Sequence, residues 1–258
     1  MKITLIIPMY NESSIINGAI DTFYGYMKEH FDDWELIFVD DGSVDGCGKA
    51  VEAKSAEDNR VRLISYTPNM GKGCAVRTGM LASTGDIVIF TDCDNAYGTD
   101  VIGRMVKRFE ESDSDVILGS RNVSADGYEG YTFIRKLASK TYLKVLSIAA
   151  GFKYSDSQCG FKGYRGEAAR RIFRNCEVNR FAFDLEATMI AQRLGYKIGE
   201  MGVKVINHRE SKVNVPADTE TTDSGSESAS DDTKNEESEA ERKTEINNED
   251  DGYHISVK

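Results

Sequence analysis

The chain has 258 residues, 40% of them hydrophobic, enough to bury the core of one α/β domain and to carry an appendage. Its formal charge of −11 is uneven: from Val215 onward fourteen acidic residues face four basic ones, a net of −10, so the part before it is close to neutral. A neutral body with an acidic end excludes nucleic-acid binding through a basic surface.

Five cysteines, an odd number with no C-x-x-C spacing, predict reduced thiols in a cytoplasmic protein. His30, His208 and His254 are not grouped with them, which speaks against zinc. The opening apolar run is too short for a signal-peptide core, and no run of apolar residues is long enough for a membrane-spanning helix. The longest apolar-leaning stretch, Tyr142 to Phe152, is interrupted by Lys144 and Ser147.

In chain order, Ile3 to Ile7 reads as a buried strand. A helix follows from Asn11, which Asn11 or Ser13 can cap, with Ile15, Ile16, Ile20, Phe23 and Met27 at helical spacing. Trp34 to Val39 is a strand ending in Asp40-Asp41-Gly42-Ser43, followed by a helix to Ala56 and a strand at Val61 to Ser65. Gly71 to Ala82 reads as a helix entered through glycines, and the strand Asp86 to Phe90 runs into Thr91-Asp92-Cys93-Asp94. A helix at Val101 to Phe109 and a strand at Asp115 to Leu118 complete the regular part. Beyond it come a helix at Phe133 to Ala149, a Gly-rich segment at Ser157 to Gly166, helices at Glu167 to Phe173 and Asp184 to Leu194, and a strand at Lys197 to Val205. From Pro216 to Asp251 almost no apolar residues occur, a composition that cannot offset the entropy of ordering. The expected division is a domain at 1–214 and a disordered acidic tail at 215–258 that is available to a protein partner.

Alternating strands and helices predict an α/β fold with a mostly parallel sheet covered by helices. Ligands then bind at the carboxyl ends of the strands. Three polar clusters fall there: Pro8 to Glu12, Asp40 to Asp45, and Asp92 to Asp94. An Asp-x-Asp triplet alone is usually a solvated turn. Placed after an Ile-Val-Ile-Phe strand, its carboxylates suit a hard cation, Mg²⁺ or Mn²⁺, that takes its other ligands from substrate phosphates. Asp40 to Ser43 serves as a strand-to-helix turn, with Gly42 at an unusual backbone angle and Ser43 capping, or as an acid facing a nucleobase or ribose. Asn69 to Gly73 reads as a phosphate-binding turn with Lys72 facing the anion, or as a plain helix start. It lacks the G-x-x-x-x-G-K-[ST] spacing of a P-loop.

These pieces in this order resemble family 2 glycosyltransferases of the GT-A type. The residues that carry the resemblance are Ile7 to Glu12, Val39 to Asp45, Asn69 to Gly79 and Asp92-Cys93-Asp94. Gly119-Ser120-Arg121, Ile134 to Lys140, Asp156 to Lys162 and Phe183 to Glu186 resemble the branch that acts on dolichyl or other polyprenyl phosphates. The resemblance spans residues 1–214. It implies a GT-A fold and a single sugar transfer from a nucleotide-sugar donor at the cytoplasmic face of a membrane. It also implies roles: Pro8, Tyr10 and Glu12 line the base pocket with Asp40 and Asp41, Lys72 lies near the donor, and Asp92 and Asp94 hold the metal. Arg121, Arg135 and Ser139 grip the acceptor phosphate, for which a guanidinium fork is suited.

Two departures matter. Mannosyltransferases of the branch carry glutamine where this chain has Ala96, which favours UDP-glucose over GDP-mannose as donor. Relatives also continue past a segment like His208 to Val213 with basic or membrane helices, whereas here an acidic stretch follows. The Gln-x-x-Arg-Trp motif of processive members is absent, since the one tryptophan is Trp34. A phosphate monoester is mostly ionised at neutral pH and needs little general-base help. A sugar hydroxyl needs a base, for which Asp156 is the candidate, with a turn cap as its other reading. His208 reads as part of a cationic loop over phosphates, and the acids of Phe183 to Glu186 as favouring a helix N-terminus near the site. The competing functions are transfer to a cell-envelope or soluble glycan and nucleotide-sugar binding without catalysis.

Overall fold

The computed structural model describes residues 1–123, 153–156 and 158–206, and the backbone of 256–257. The elements in order are β1 (Ile3–Met9), α1 (Ile16–His30), β2 (Trp34–Asp41), α2 (Cys47–Glu57), β3 (Val61–Tyr66), α3 (Lys72–Ala82) and β4 (Ile87–Phe90). Then come α4 (Asp100–Glu110), β5 (Val116–Ser120), β6 (Lys162–Arg165), α5 (Gly166–Phe173), α6 (Phe183–Arg193), β7 (Ile198–Gly202) and β8 (Ser256–Val257). The eight strands form one sheet in the order β7-β5-β6-β4-β1-β2-β3-β8.

β1, β2, β3 and β4 pair in parallel, as do β5 and β7. Every residue of β1, β2 and β4 is buried, as expected of near-continuous apolar strands covered on both faces. Alternation along each strand divides the core into two layers. Ile3, Leu5, Ile7, Leu36 and Phe38 pack with α1, α2 and α4 on one face, while Ile6, Ile37 and Val39 pack with α3, α5 and α6 on the other. In α4 the buried residues Val101, Ile102, Met105, Val106 and Phe109 form one helical stripe.

Several boundaries differ from the sequence reading. Part of the Gly-rich segment is strand β6, which runs antiparallel between β4 and β5. Lys162 disguised it, because a charged residue in a four-residue run reads as loop; in the fold its charge is paired. α1 starts at Ile16 with Ile15 at its N-cap and no side-chain capping bond, because Asn11 and Ser13 are tied to the loop after β2 instead. α2 starts at Cys47 with Gly46 at the N-cap, so Ser43 does not cap it. The chain returns to the sheet at β8, where Ile64 opposes Val257 and Ser65 opposes Ser256 in an antiparallel pair. Ser256–Val257 therefore lie outside the featureless end expected from composition, in a run (Ile255-Ser256-Val257) with β-forming residues.

Contacts gather Met1–Arg209 and Tyr253–Lys258 into one unit. The expected helix at Phe133 to Ala149 and the acidic stretch at 210–252 lie outside the described residues. Among the described residues no helix is long and apolar enough to cross a membrane. All five cysteines are unpaired.

Candidate active site

Because β1, β2, β3 and β4 are parallel, their carboxyl ends open on one edge of the sheet. Met9 opposes Asp40, and Asp40 and Asp41 oppose Ser65 and Tyr66, so the polar ends stand level. The loops after β1 and β2 are laced together. Asn11, at φ 51°, donates its backbone N–H to Ser43 Oγ at 2.9 Å and accepts from Val44 N–H through Oδ1 at 3.0 Å. Asp45 accepts from the N–H groups of Ser13 at 2.8 Å and Cys47 at 3.0 Å. Burial pushes the Asp45 carboxyl up, but those donors outweigh it and bring the pKa down to about 2.

Pro8 is buried within β1 opposite Val39, Tyr10 is exposed, and Glu12 is half-buried. Asp40 Oδ1 accepts from Ser43 N–H at 2.9 Å. Asp41 has turned inward. Its carboxylate accepts from Met70 N–H at 2.8 Å, Gly71 N–H at 2.8 Å and the Asn69 side-chain amide at 2.7 Å. The turn expected to offer N–H groups to a phosphate thus spends those of Met70 and Gly71 on an internal carboxylate. Two glycines make this possible. Gly42, at φ 75°, lies so close to the turn that a Cβ there would meet Asn69 N at 2.7 Å, and Gly71 has φ 102°.

Lys72, the first residue of α3, reaches across to Asp92 at the end of β4 and forms an ion pair with Oδ1. Burial disfavours its charge, yet Asp92, Asp184 and Asp94 together hold the ammonium above a lysine's ordinary range. Asp94 Oδ1 accepts from Ala96 N–H at 3.1 Å in the turn that follows. Gly160 lies directly against Asp92, since a Cβ there would fall 2.1 Å from Oδ2. Tyr97 Oη accepts from Gly160 N–H at 3.1 Å and fixes that approach. Behind it, Lys162 Nζ donates to the Cys159 carbonyl at 2.6 Å and to Asp184 Oδ1 at 2.7 Å. Burial raises the Asp184 carboxyl's pKa, against the pull of Lys162 and Lys72. The second acid of the first turn of α6 is also engaged, as Glu186 accepts from the N–H groups of Glu177 and Val178.

Two carboxylates on one strand end form a donor set that suits a hard divalent cation with phosphate oxygens completing its shell. Among the described residues no group of three or more His, Cys, Asp or Glu gathers around one point.

Past β5, Arg121 grips Asp156. Nε donates to Oδ2 at 2.7 Å, Nη2 to Oδ1 at 3.0 Å, and the backbone N–H to Oδ2 at 3.2 Å. Burial would raise the Asp156 pKa, but the guanidinium lowers it below the usual carboxylate range. Asp156 also accepts from Gln158 N–H at 3.2 Å, so the turn-cap reading holds beside the ion pair. A carboxylate so held has little affinity for a proton. Arg135, Ser139 and His208 lie outside the described residues. Lys162, Gly160 and Tyr97 escaped the sequence reading as site residues; the signal for the first two lay in the Asp156 to Lys162 stretch.

The profile of the family described as Glycosyl transferase family 2 matches residues 4–173. A dolichyl-phosphate beta-glucosyltransferase of Trichomonas vaginalis is 31% identical over 223 residues, covering 82% of this chain and 66% of its own length. The Homo sapiens protein of the same name is 28% identical, covering 78% of this chain and 66% of its own. The chain thus spans about two thirds of the length of these curated relatives. Among solved structures, glucosyl-3-phosphoglycerate synthase from Mycobacterium tuberculosis with Mn²⁺, UDP-glucose and phosphoglyceric acid has a TM-score of 0.60 at 22% identity, covering 84% of this chain and 73% of that one. A mannosyltransferase from Pyrobaculum calidifontis with GDP-mannose and Mn²⁺ has a TM-score of 0.54 at 20% identity, covering 81% and 58%. These two likenesses are of fold.

Proposed function

The chain belongs to glycosyl transferase family 2, and on that premise we propose that it is a metal-dependent enzyme moving one glucosyl residue from UDP-glucose to a polyprenyl phosphate. The observation that carries the reading is Asp92 and Asp94 at the end of β4, with Lys72 paired to Asp92; the Arg121–Asp156 pair after β5 supports the acceptor side. The names of the relatives, dolichyl-phosphate beta-glucosyltransferases, support the sugar and the acceptor class.

Asp92 and Asp94 are the residues assigned to hold Mg²⁺ or Mn²⁺. Such a cation supplies charge neutralisation of the donor diphosphate as leaving group. Lys72 adds a second positive charge at the same place. Pro8, Tyr10, Glu12 and Asp40 border the base and ribose. Asp41 acts one step back, by shaping the turn that presents Lys72.

Arg121, with Arg135 and Ser139, is assigned to the acceptor phosphate. An ionised phosphate oxygen forms the new bond to the anomeric carbon from the face opposite the diphosphate, as the bond to UDP breaks, with inversion. The bond-forming oxygen carries no proton, so no base is needed. This favours a phosphate over a sugar hydroxyl, because Asp156, the candidate base, is clamped by Arg121 and its proton affinity is lowered. We therefore assign Asp156 to orienting Arg121. The domain at 1–214 carries the activity at the cytoplasmic face of a membrane, and the acidic tail at 215–258, apart from the strand Ser256–Val257 that joins the sheet, is open to a protein partner.

The test incubates purified protein with UDP-glucose or GDP-mannose, Mn²⁺ or Mg²⁺, and a short polyprenyl phosphate. Transfer of glucose, lost in Asp94→Ala, is the expected result. Nucleotide binding without transfer to any polyprenyl phosphate overturns the acceptor, and transfer to a sugar acceptor instead establishes the hydroxyl alternative.

A further inference from the structure

Arg121 and Asp156 come from segments far apart in sequence, and what brings them together is a chain of hydrogen bonds that starts on β7. Glu200 Oε1 accepts from both the N–H (2.8 Å) and the hydroxyl (2.5 Å) of Ser155. An ionised carboxylate can only accept, so the Ser155 proton is committed to Glu200. The 2.6 Å contact between the hydroxyls of Ser155 and Ser120 then has one direction, with Ser120 donating. The Ser120 oxygen is left to accept, and it faces the N–H groups of Asn122 at 3.1 Å and Val123 at 3.3 Å. Asn122 closes the loop by donating its side-chain amide to the Ser155 carbonyl. Every bond on this path points one way, and Arg121 and Asp156 are the residues next to its two serines in the chain.

From this we infer that Glu200 is a positioning residue for the acceptor phosphate: through Ser155 and Ser120 it fixes where Arg121 and Asp156 meet. The inference rests on the reading of Arg121 as a phosphate ligand. Glu200 does not touch the substrate. Its carboxylate orients two hydroxyls, and they lock the backbone on either side of the guanidinium. Ser120, at the end of β5, is fully buried, and Asp156 is nearly so. A mis-set turn there has little room to recover.

The experiment compares Glu200→Ala and Glu200→Gln in the full chain. The glutamine carbonyl can still accept from both Ser155 donors, so Glu200→Gln retains acceptor use, whereas Glu200→Ala raises the acceptor KM roughly tenfold, the scale of one hydrogen bond to a charged group. The donor KM and UDP affinity stay unchanged in both. Binding of the short polyprenyl phosphate, measured by calorimetry without donor, follows the same order. Equal losses of donor and acceptor affinity in Glu200→Ala, or an acceptor KM that does not move, overturn the inference. So does a glutamine variant as impaired as the alanine one. If wild-type protein transfers to a sugar acceptor and binds no polyprenyl phosphate, the reading of Arg121 fails. If wild type uses the lipid phosphate and only the Glu200 variants are indifferent, that reading stands and the positioning role is wrong.

Discussion

Lys162 Nζ lies 2.7 Å from Asp184 Oδ1, with side-chain exposures of 0% and 8%, so the ion pair is shut off from solvent. Their separation in sequence hides the pair, which joins β6 to the first turn of α6. Breaking a buried pair leaves one charge without a partner, at a cost of about 3–5 kcal/mol, whereas replacing both members with apolar groups is often close to neutral. Lys162→Met is therefore expected to lose stability of that order in urea denaturation. Lys162→Met combined with Asp184→Leu should recover most of it. A single variant as stable as wild type would show that the pair contributes nothing.

Gly160 gives a sharper test of the carboxylates assigned to the metal. An alanine Cβ there falls 2.1 Å from Asp92 Oδ2, so Asp92 must move. Gly160→Ala is expected to fold, by circular dichroism, and to lose transfer on the order of 100-fold, as displacement of a reacting group by about an ångström does. Mn²⁺ affinity measured by calorimetry should fall with it. Retained affinity and rate would show that Asp92 need not stay where it lies.

Asp41 tests whether an acid in the donor region works through structure. Asp41→Ala leaves the N–H groups of Met70 and Gly71 and the amide of Asn69 without their carboxylate. Stability should drop by about 3 kcal/mol, since each unsatisfied group costs about 1–3 kcal/mol when water cannot fully replace the partner. UDP affinity should weaken as Lys72 loses its launch point. Weaker UDP binding with undiminished stability would instead place Asp41 on the nucleotide.

The pH dependence of stability carries a signature of Asp45. Its folded pKa of about 2 is below its ordinary value of 3.8. The folded state therefore holds the proton less tightly, and the ionised form stabilises the fold above the unfolded pKa. That contribution declines as pH falls through the folded value. The Tm gap between wild type and Asp45→Ala should be constant above about pH 5 and close between about pH 4 and pH 2. A gap that persists at pH 2 would contradict the Ser13 and Cys47 bonds as its source.

The alternation of apolar strands with helices was enough to place β1 to β5 and the helices between them, because a strand buried on both faces must be apolar along its length. It also put Asp40, Asp92 and Asp94 at strand ends, since parallel strands open their carboxyl ends together. Strand β6 could not be read this way. Lys162 and Gly163 break its apolar pattern, and the pairing that permits a buried lysine comes from Asp184 on another element. The same holds for the roles of acids. The strand-end order marked Asp41 and Asp92, and the family resemblance marked Asp156, alike as acids of the site. Only the tertiary structure separated them: Asp41 is spent on backbone donors, Asp156 is clamped by Arg121, and Asp92 is pressed between Lys72 and Gly160. A sequence carries residue types and periodicity, and these decide which face is buried. Which donor satisfies which carboxylate depends on distances between segments scores of residues apart, and the fold alone sets them.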